Sequence, residues 1–111
     1  MEIKFKSSDK LDKRAIYMHT RASSTSMKDV EPNTVIEPAE IVIYSDTNSK
    51  GEEQIITSIV DVNGEHFTTN SKFFREELGV IWELMAPDPF SIRVKKNISK
   101  NGRAFVTCEL A

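Results

Sequence analysis

The 111-residue chain lacks several features that would place it in a common class. It has one cysteine, Cys108, so no disulfide can form within the chain, and we expect a reducing intracellular compartment. No apolar run approaches the roughly 18 residues that a membrane-spanning helix needs. The N-terminus also lacks the apolar core of a signal peptide. These absences predict one soluble, cytoplasmic domain over residues 1–111 with no membrane partner.

Patterns for catalysis and for metal binding are lacking as well. His19 and His66 have no ligand-like spacing to each other or to Cys108, which argues against a zinc site. The four glycines stand singly, so no glycine-rich loop is available to hold a phosphate group. Cys108 lies in a predicted core strand, where a cysteine usually acts as a small apolar side chain. The sequence therefore predicts no enzyme, no metal and no cofactor.

Charge is unevenly distributed along a chain whose net charge is −2. Residues 1–28 carry seven basic and three acidic residues, residues 29–65 carry nine acidic residues against Lys50, and residues 91–111 carry five basic residues against Glu109. If the two basic ends meet in the fold, they form one positive face on a protein whose other faces repel phosphate. The alternative is that both ends are ordinary solvated surface.

Apolar residues predict one helix and five strands. Phe74, Leu78, Ile81 and Met85 recur at helical spacing, which predicts a helix from about 72 to 85, with Asn70 or Ser71 as its cap. The strands are expected near 34–44, 54–62, 65–69, 90–96 and 103–110, with hairpin turns at 63–64 and 99–102.

One helix between the third and fourth of five strands is the arrangement of oligonucleotide-binding (OB) barrels. The predicted fold class is therefore mainly β with one helix, an OB-like five-stranded antiparallel barrel. Residues 1–28 are polar and contain the low-complexity run from Arg21 to Ser26, which favours a flexible arm or loop.

The last two strands contain the first candidate binding residues. Alternation assigns Val94 and Cys108 to the core, and it leaves basic residues and one aromatic ring on the other face: Arg93, Lys95, Arg103 and Phe105. A base stacked on such a ring is worth about 1–3 kcal/mol, while the cations bind phosphates. The alternative is a solvated sheet face with the ring tucked under a loop. Tyr44 and Phe67 also lie in strands, where a lone aromatic residue is more often core than stacking surface.

With these residues in view, the chain resembles the phi29-type single-stranded-DNA-binding proteins of phages that replicate by protein priming. The resemblance runs from about residue 16 to the C-terminus and rests on short blocks in a shared order: Ile16-Tyr17, Ser26-Met27-Lys28-Asp29-Val30, Thr34-Val35-Ile36-Glu37, residues 63–72, Ser99-Lys100, Gly102 and residues 105–110. Asn101 is an extra residue in the last turn.

The resemblance implies non-sequence-specific binding of displaced single strands during phage DNA replication, in the cytoplasm of a bacterial host cell. Two family aromatic positions tied to DNA binding fall on Tyr44 and Phe67, whereas a third, in the loop before Lys50, has no aromatic counterpart. The expected stacking residues are Tyr44, Phe67, Tyr17 and Phe105, and the expected phosphate-binding residues are Lys28, Lys72, Arg93, Lys95, Lys100 and Arg103. Self-association along the DNA is left open.

Two other functions compete with this hypothesis. The acidic segment 29–65 suggests a phage interaction protein that binds a host nucleic-acid enzyme through a surface mimicking DNA charge. A single-stranded RNA binder is the other alternative, because stacking and phosphate contacts do not by themselves distinguish RNA from DNA.

Overall fold

Strands dominate the computed structural model, which describes all of residues 1–111. The eight strands are β1 Glu2–Lys6, β2 Thr25–Ser26, β3 Val35–Ile36, β4 Pro38–Thr47, β5 Glu53–Asp61, β6 His66–Thr69, β7 Ile92–Ile98 and β8 Ala104–Leu110. The two α-helices are α1 Lys13–Arg21 and α2 Lys72–Met85, and a short 3₁₀ turn spans Met27–Asp29. Neither helix is long and apolar enough to cross a membrane.

The strands form two sheets rather than one closed barrel. The five-stranded sheet has the order β1-β4-β5-β6-β2, and the three-stranded sheet has the order β3-β7-β8. All neighbours are antiparallel except β2 and β6, which run parallel. The prediction of a mainly β protein is confirmed, since strands make up 41% of the chain. The prediction of a single helix and a wholly antiparallel arrangement is wrong, and closure into a barrel is not observed.

The predicted run at 34–44 divides at Glu37 and contributes to both sheets. Val35 and Ile36 pair with β7, whereas the strand that starts at Pro38 pairs with β5 and β1. Proline has no N–H for a sheet ladder, so the pairing changes where it enters the chain. One chain segment thereby connects the two sheets.

The core lies between the two sheets and α2. Its buried residues come from nearly every element: Met27, Val30, Ile36, Ile41, Ile59, Phe67, Phe74, Leu78, Ile81, Phe90, Ile92, Val94, Val106 and Cys108. The predicted helical stripe supplies Phe74, Leu78 and Ile81 to this core. Trp82 closes one side, with its ring edge-on to Phe5 at 5.4 Å between centroids. The observed bounds of α2 match the predicted ones because the 3.6-residue apolar period is uninterrupted there.

The N-terminal segment is ordered, which corrects the expectation of a flexible arm over residues 1–28. Residues 2–6 form an edge strand that pairs with β4. Residues 13–21 form α1, whose first turn is capped by the Asp12 side chain accepting from the Ala15 N–H at 2.9 Å. His19 is the only buried residue of α1, so the apolar period that reveals most helices is missing. The sequence did contain a signal for each of these elements. The alternating pattern Glu-Ile-Lys-Phe-Lys indicates β1, and Asp12 is a typical helix cap for α1.

Two leucines of α2 provide a matched test of this packing. Leu78 is 2% exposed and Leu84 is 78% exposed. We expect Leu78→Ala to lower the free energy of unfolding by about 2–5 kcal/mol, because it leaves a cavity in the core. Leu84→Ala should change it by less than about 0.5 kcal/mol. Urea titration followed by Trp82 emission measures both, and equal effects would contradict the assigned orientation of the helix.

Candidate nucleic-acid interface

The five-stranded sheet has an inner face toward the core and an outer face on the opposite side. Ile41, Ile59 and Phe67 belong to the core cluster and mark the inner face. Residues of opposite parity mark the outer face: Glu40, Val42, Tyr44, Ile56, Ser58, Val60, His66 and Thr68. Helix α1 lies on the outer face, since the ring nitrogens of its His19 are 2.9 Å from Glu40 Oε1 and 2.8 Å from Ser58 Oγ.

Tyr44 and Phe67, expected to stack on DNA together, lie on opposite faces of this sheet. Phe67 is 7% exposed and packs in the core, so its expected place on an open surface needs correction. Tyr44 is on the outer face but only 4% exposed. Burial, with the negative charge of Asp46, raises the pKa of Tyr44, while Arg21 at the end of α1 opposes this rise. Neither ring is open to a base, and a DNA-binding role for either stays a prediction.

Two adjoining clefts form a surface that we call the Lys28 groove. The first, of about 220 Å³, lies on the outer face, and its lining is mostly polar: Ser26, Lys28, Gln54, Ile56, Thr68, Thr69 and Asn70. The second, of about 340 Å³, continues past the start of α2 and is lined by Ser26, Lys28, Thr69, Asn70, Ser71, Lys72, Phe73, Ala104, Phe105 and Val106. Hydroxyl, amide and ammonium groups therefore follow one path that ends at two aromatic rings.

The two rings are Phe73 and Phe105. Their centroids are 4.4 Å apart, with 39° between the ring planes. Phe73 is 50% exposed, and Phe105 is half-buried, as its position on the non-core face of β8 predicts. The sequence analysis missed Phe73, because its neighbour Phe74 supplies the helical core stripe. The sequence signal for Phe73 was its position next to that stripe and directly after Lys72 at the start of the helix.

Ser71 positions this aromatic pair. As the N-cap of α2, its hydroxyl oxygen accepts from the Phe74 N–H at 3.2 Å, and the same hydroxyl donates to the Val106 carbonyl at 2.5 Å. One side chain thus joins the helix start, which carries Phe73, to the strand that carries Phe105.

The basic ends of the chain meet beside the groove. Lys28 lines both clefts, and Lys96 of β7 donates from Nζ to the Lys28 carbonyl at 2.7 Å. Lys96 was not among the predicted binding residues. Lys72 stands at the other side of the aromatic pair, with Nζ 3.7 Å from Glu76 Oε1. The ion pair of Lys72 with Glu76 is exposed and hence weak. An anion such as a phosphate can therefore compete with Glu76 for the Lys72 ammonium group.

The remaining predicted cations lie along the β7–β8 hairpin, away from the groove lining. Arg93 and Lys95 both approach Glu109, at 3.1 and 3.9 Å, and Lys95 also donates to Asn33 Oδ1 at 2.9 Å. Lys100 and Arg103 lie in the exposed turn at the other end of the hairpin and form no ion pair. Arg93 and Arg103 therefore do not converge.

Tyr17 and Cys108 contribute nothing to the lining of the Lys28 groove. Tyr17 is 63% exposed on α1, apart from the residues that line the groove. Burial raises the pKa of the Cys108 thiol to about 12, so the thiolate is scarce at neutral pH. No three His, Cys, Asp or Glu side chains cluster in a way that could hold a metal ion.

A larger cleft at the end of α2 is unsuited to phosphate. Its volume is about 420 Å³, and its lining includes Glu37 and Asp88 but neither lysine nor arginine. The Lys28 groove, by contrast, is lined by Lys28 and Lys72 and by the rings of Phe73 and Phe105.

A cationic groove that ends at aromatic rings is typical of proteins that bind single-stranded nucleic acid. A sequence model of the phi29-type family, described as phage single-stranded DNA-binding protein, matches residues 2–111 of this chain. The chain therefore belongs to this family. The expected family is therefore confirmed over essentially the whole chain. Neither a curated protein nor a solved structure matches it. Family membership supports single-stranded DNA binding and lends nothing to the alternative of an acidic interaction protein.

Removing the Ser71 hydroxyl tests how the aromatic pair is held. We expect Ser71→Ala to lower the free energy of unfolding by about 1–2 kcal/mol, since it removes a helix cap and leaves the Val106 carbonyl without its partner. Ser49→Ala, in an exposed turn, should change it by less than about 0.5 kcal/mol. Urea unfolding of both variants is the measurement, and an unaffected Ser71→Ala would contradict the assigned bonds.

Proposed function

We propose that the protein coats single-stranded DNA without sequence preference during phage DNA replication, in the cytoplasm of the bacterial host. The single observation that carries this proposal is the Lys28 groove, where exposed rings and cations follow one path. In this proposal Lys28, Lys72 and Lys96 contact phosphates. Stacking on aromatic rings and ionic contacts to the backbone tolerate any base, which fits binding without sequence preference.

Stacking in this proposal starts at Phe73 and Phe105. An aromatic face binds any base, at about 1–3 kcal/mol per base, because every base has a π-face. From these two rings, the sugar-phosphate backbone of the DNA runs past Lys28 onto the outer face of the five-stranded sheet. Ile56 and Thr68 form the floor of the groove there. Tyr44 is the cross-strand neighbour of Ile56, so it lies beside the far end of this path.

The hairpin cations contribute less in this proposal than the sequence predicted. Glu109 occupies Arg93 and Lys95, and a phosphate must compete with it for both. Lys100 and Arg103 are free to contact the same strand where it leaves the groove. If neighbouring copies of the protein associate along the DNA, binding is cooperative, and the binding curve is steeper for longer oligo-dT.

We also infer an OB-like architecture, partly open rather than closed. The segment 35–47 connects the two sheets, and α2 falls between β6 and β7, which is the slot that a helix occupies in OB folds. The family's DNA-binding role favours a binding protein rather than an enzyme. RNA remains the competing ligand, and matched DNA and RNA oligomers distinguish the two.

The aromatic pair provides the direct test. We expect Phe73→Ala and Phe105→Ala each to weaken oligo-dT binding by about 1–3 kcal/mol at constant salt, because each removes a stacking surface. Leu84→Ala, which changes an exposed apolar residue at the far end of the same helix, should bind like the parent. Titration followed by fluorescence anisotropy of labelled oligo-dT measures all three. Parental affinity in both phenylalanine variants would rule out the groove.

Salt dependence tests the cations. The logarithm of the binding constant should fall linearly with the logarithm of salt concentration, by about 0.7 per phosphate contacted. Lys28→Gln should therefore reduce the slope by about 0.7. Lys4→Gln is the matched control, since Lys4 lies on edge strand β1 in an ion pair with Glu2. Equal slopes for Lys28→Gln and the parent would remove Lys28 from the interface.

A further inference from the structure

The tip of the β7–β8 hairpin, residues 98–103, is an exposed projection that carries one apolar and two basic side chains. Ile98 is 75% exposed, although strand alternation puts it on the same face as the buried Val94. The hairpin extends past the edge of the core there, so the Ile98 side chain stays in solvent. Lys100 and Arg103 are exposed beside it, and neither forms an ion pair within the chain. We call residues 98–103 the hairpin tip.

Hydrogen bonds fix the shape of the hairpin tip. The Ser99 N–H donates to the Arg103 carbonyl at 2.8 Å, and the Gly102 N–H donates to the Ser99 carbonyl at 2.9 Å. The Arg103 N–H also donates to Ser99 Oγ at 3.2 Å. A loop that is already held in one shape loses little conformational freedom on binding. The tip is therefore suited to enter a cavity on another molecule.

The cleft at the end of α2 has the opposite character. Val62, Trp82 and Phe90 contribute apolar and aromatic surface to its lining, and Glu37 and Asp88 are its two acidic residues. Both acids are exposed, and neither forms an ion pair within the chain. The volume of about 420 Å³ lies within the roughly 300–1,000 Å³ of typical binding pockets. We call this cavity the α2-end cleft.

The two surfaces complement each other in charge and in polarity. The tip carries one apolar side chain with two unpaired cations, and the cleft has an apolar lining with two unpaired carboxylates. Opposite charges on facing surfaces favour one partner and one orientation. A lone exposed apolar residue is common on protein surfaces, so the match in charge is what favours the α2-end cleft as the partner of Ile98. DNA does not suit this cleft, because its carboxylates repel phosphate.

The hairpin tip cannot enter the cleft of its own chain. Strand β8 begins beside the tip and ends beside the cleft, since the Ala111 N–H donates to the Ser91 carbonyl at 2.9 Å and Ser91 follows Phe90 of the cleft lining. Seven strand residues at about 3.3 Å each separate the two surfaces by about 23 Å. The partner of the tip therefore belongs to another molecule, and a second copy of this chain supplies the complementary cleft.

We propose that the hairpin tip of one copy docks into the α2-end cleft of the next, so that copies associate head to tail. Tip and cleft are different surfaces at opposite ends of the β7–β8 hairpin. Each contact therefore leaves one tip and one cleft free, and the association continues as an open row.

The strength of this contact depends on DNA. One hairpin tip buries less than the roughly 1,200 Å² of a stable interface, so the association is weak in solution. It becomes stronger between copies bound to one DNA strand, where their effective concentration is high. Within the row, the carboxylates of the next copy compete with DNA phosphates for Lys100 and Arg103.

Cysteine cross-linking tests the contact without DNA. Ile98→Cys places a thiol on the tip, and Val62→Cys places one at the cleft, where Val62 is 54% exposed. The native Cys108 is buried and its pKa is raised to about 12, so it reacts slowly near neutral pH. One of the two proteins is labelled with nitrogen-15, and the products of a short bismaleimide are identified by mass. At high protein concentration we expect mostly the mixed dimer, because the tip meets the cleft and neither meets itself.

The proportions of the cross-linked products decide the outcome. No dimer, or mixed dimers and both homodimers in the proportions of random collision, would overturn the proposal. An excess of dimers joined through two Ile98→Cys thiols would overturn it too, since that product indicates a symmetric contact. Ser49→Cys, in an exposed turn outside both surfaces, replaces Val62→Cys as the control and should show no preference for the mixed dimer. All three substitutions change exposed residues, so we expect the variants to fold.

Exchanging the charges tests the complementarity of the two surfaces. Lys100→Glu with Arg103→Glu should lower the association constant by on the order of tenfold or more, because like charges then face each other. Adding Glu37→Lys and Asp88→Lys to the same chain restores both the opposite signs and the parental net charge, so association should return. Sedimentation equilibrium at several high protein concentrations is the measurement. Association that stays weak with all four substitutions would contradict the proposal.

A matched control separates the contact from net charge. Lys10→Glu with Lys13→Glu changes the net charge as the tip variant does, but at exposed residues outside both surfaces. Its association constant should stay near the parental value. A loss equal to that of the tip variant would show an effect of net charge alone and would overturn the assigned contact.

The link to DNA rests on the proposed function and is measured separately. Oligo-dT long enough for several copies should bind the parent cooperatively. Ile98→Ser changes no charge and lies outside the groove lining, so it should remove the cooperativity and keep the parental affinity for an oligomer that accommodates one copy. Cooperativity that persists in Ile98→Ser would show that the tip does not join neighbouring copies on DNA. Absence of DNA binding in the parent would contradict the proposed function and leave the cross-linking result intact.

Discussion

The pairing register of β4, β5 and β6 is the constraint on which the rest of the structure depends. Strand residues alternate between faces, so the register determines which side chains enter the core and which reach the outer face. It buries Phe67 with Ile59, and it places Tyr44 beside Ile56 on the other side of the same sheet. A shift of one residue would exchange the two faces, remove the core and separate His19 from Glu40 and Ser58.

The groove forms where that sheet meets α2 and the last hairpin. Ser71 joins the helix start to β8, and Lys96 joins the hairpin to the Lys28 turn. Both contacts connect residues far apart in the chain, so the aromatic rings and ammonium groups become neighbours only in the folded protein. The hydrophobic core supports the groove, whose lining combines polar groups with the rings of Phe73 and Phe105.

The sequence predicted the elements whose apolar period is strong. Helix α2 was predicted with its observed ends, and the hairpins at 63–64 and 99–102 follow from glycines that adopt positive φ. It missed α1 because a helix held by His19 and Ser58 has no apolar stripe to recognise. It missed Phe73 because sequence spacing cannot tell an exposed ring from its buried neighbour.

Family membership, the mainly β class and the basic character of both chain ends were determined by the sequence alone, since they depend on local composition and on blocks of residues in order. Only the tertiary structure decided which rings are exposed, which cations are already paired with Glu109, and that two histidines 47 positions apart share one serine. Those properties depend on contacts between distant segments and on burial, and neither is encoded in the local pattern of residues.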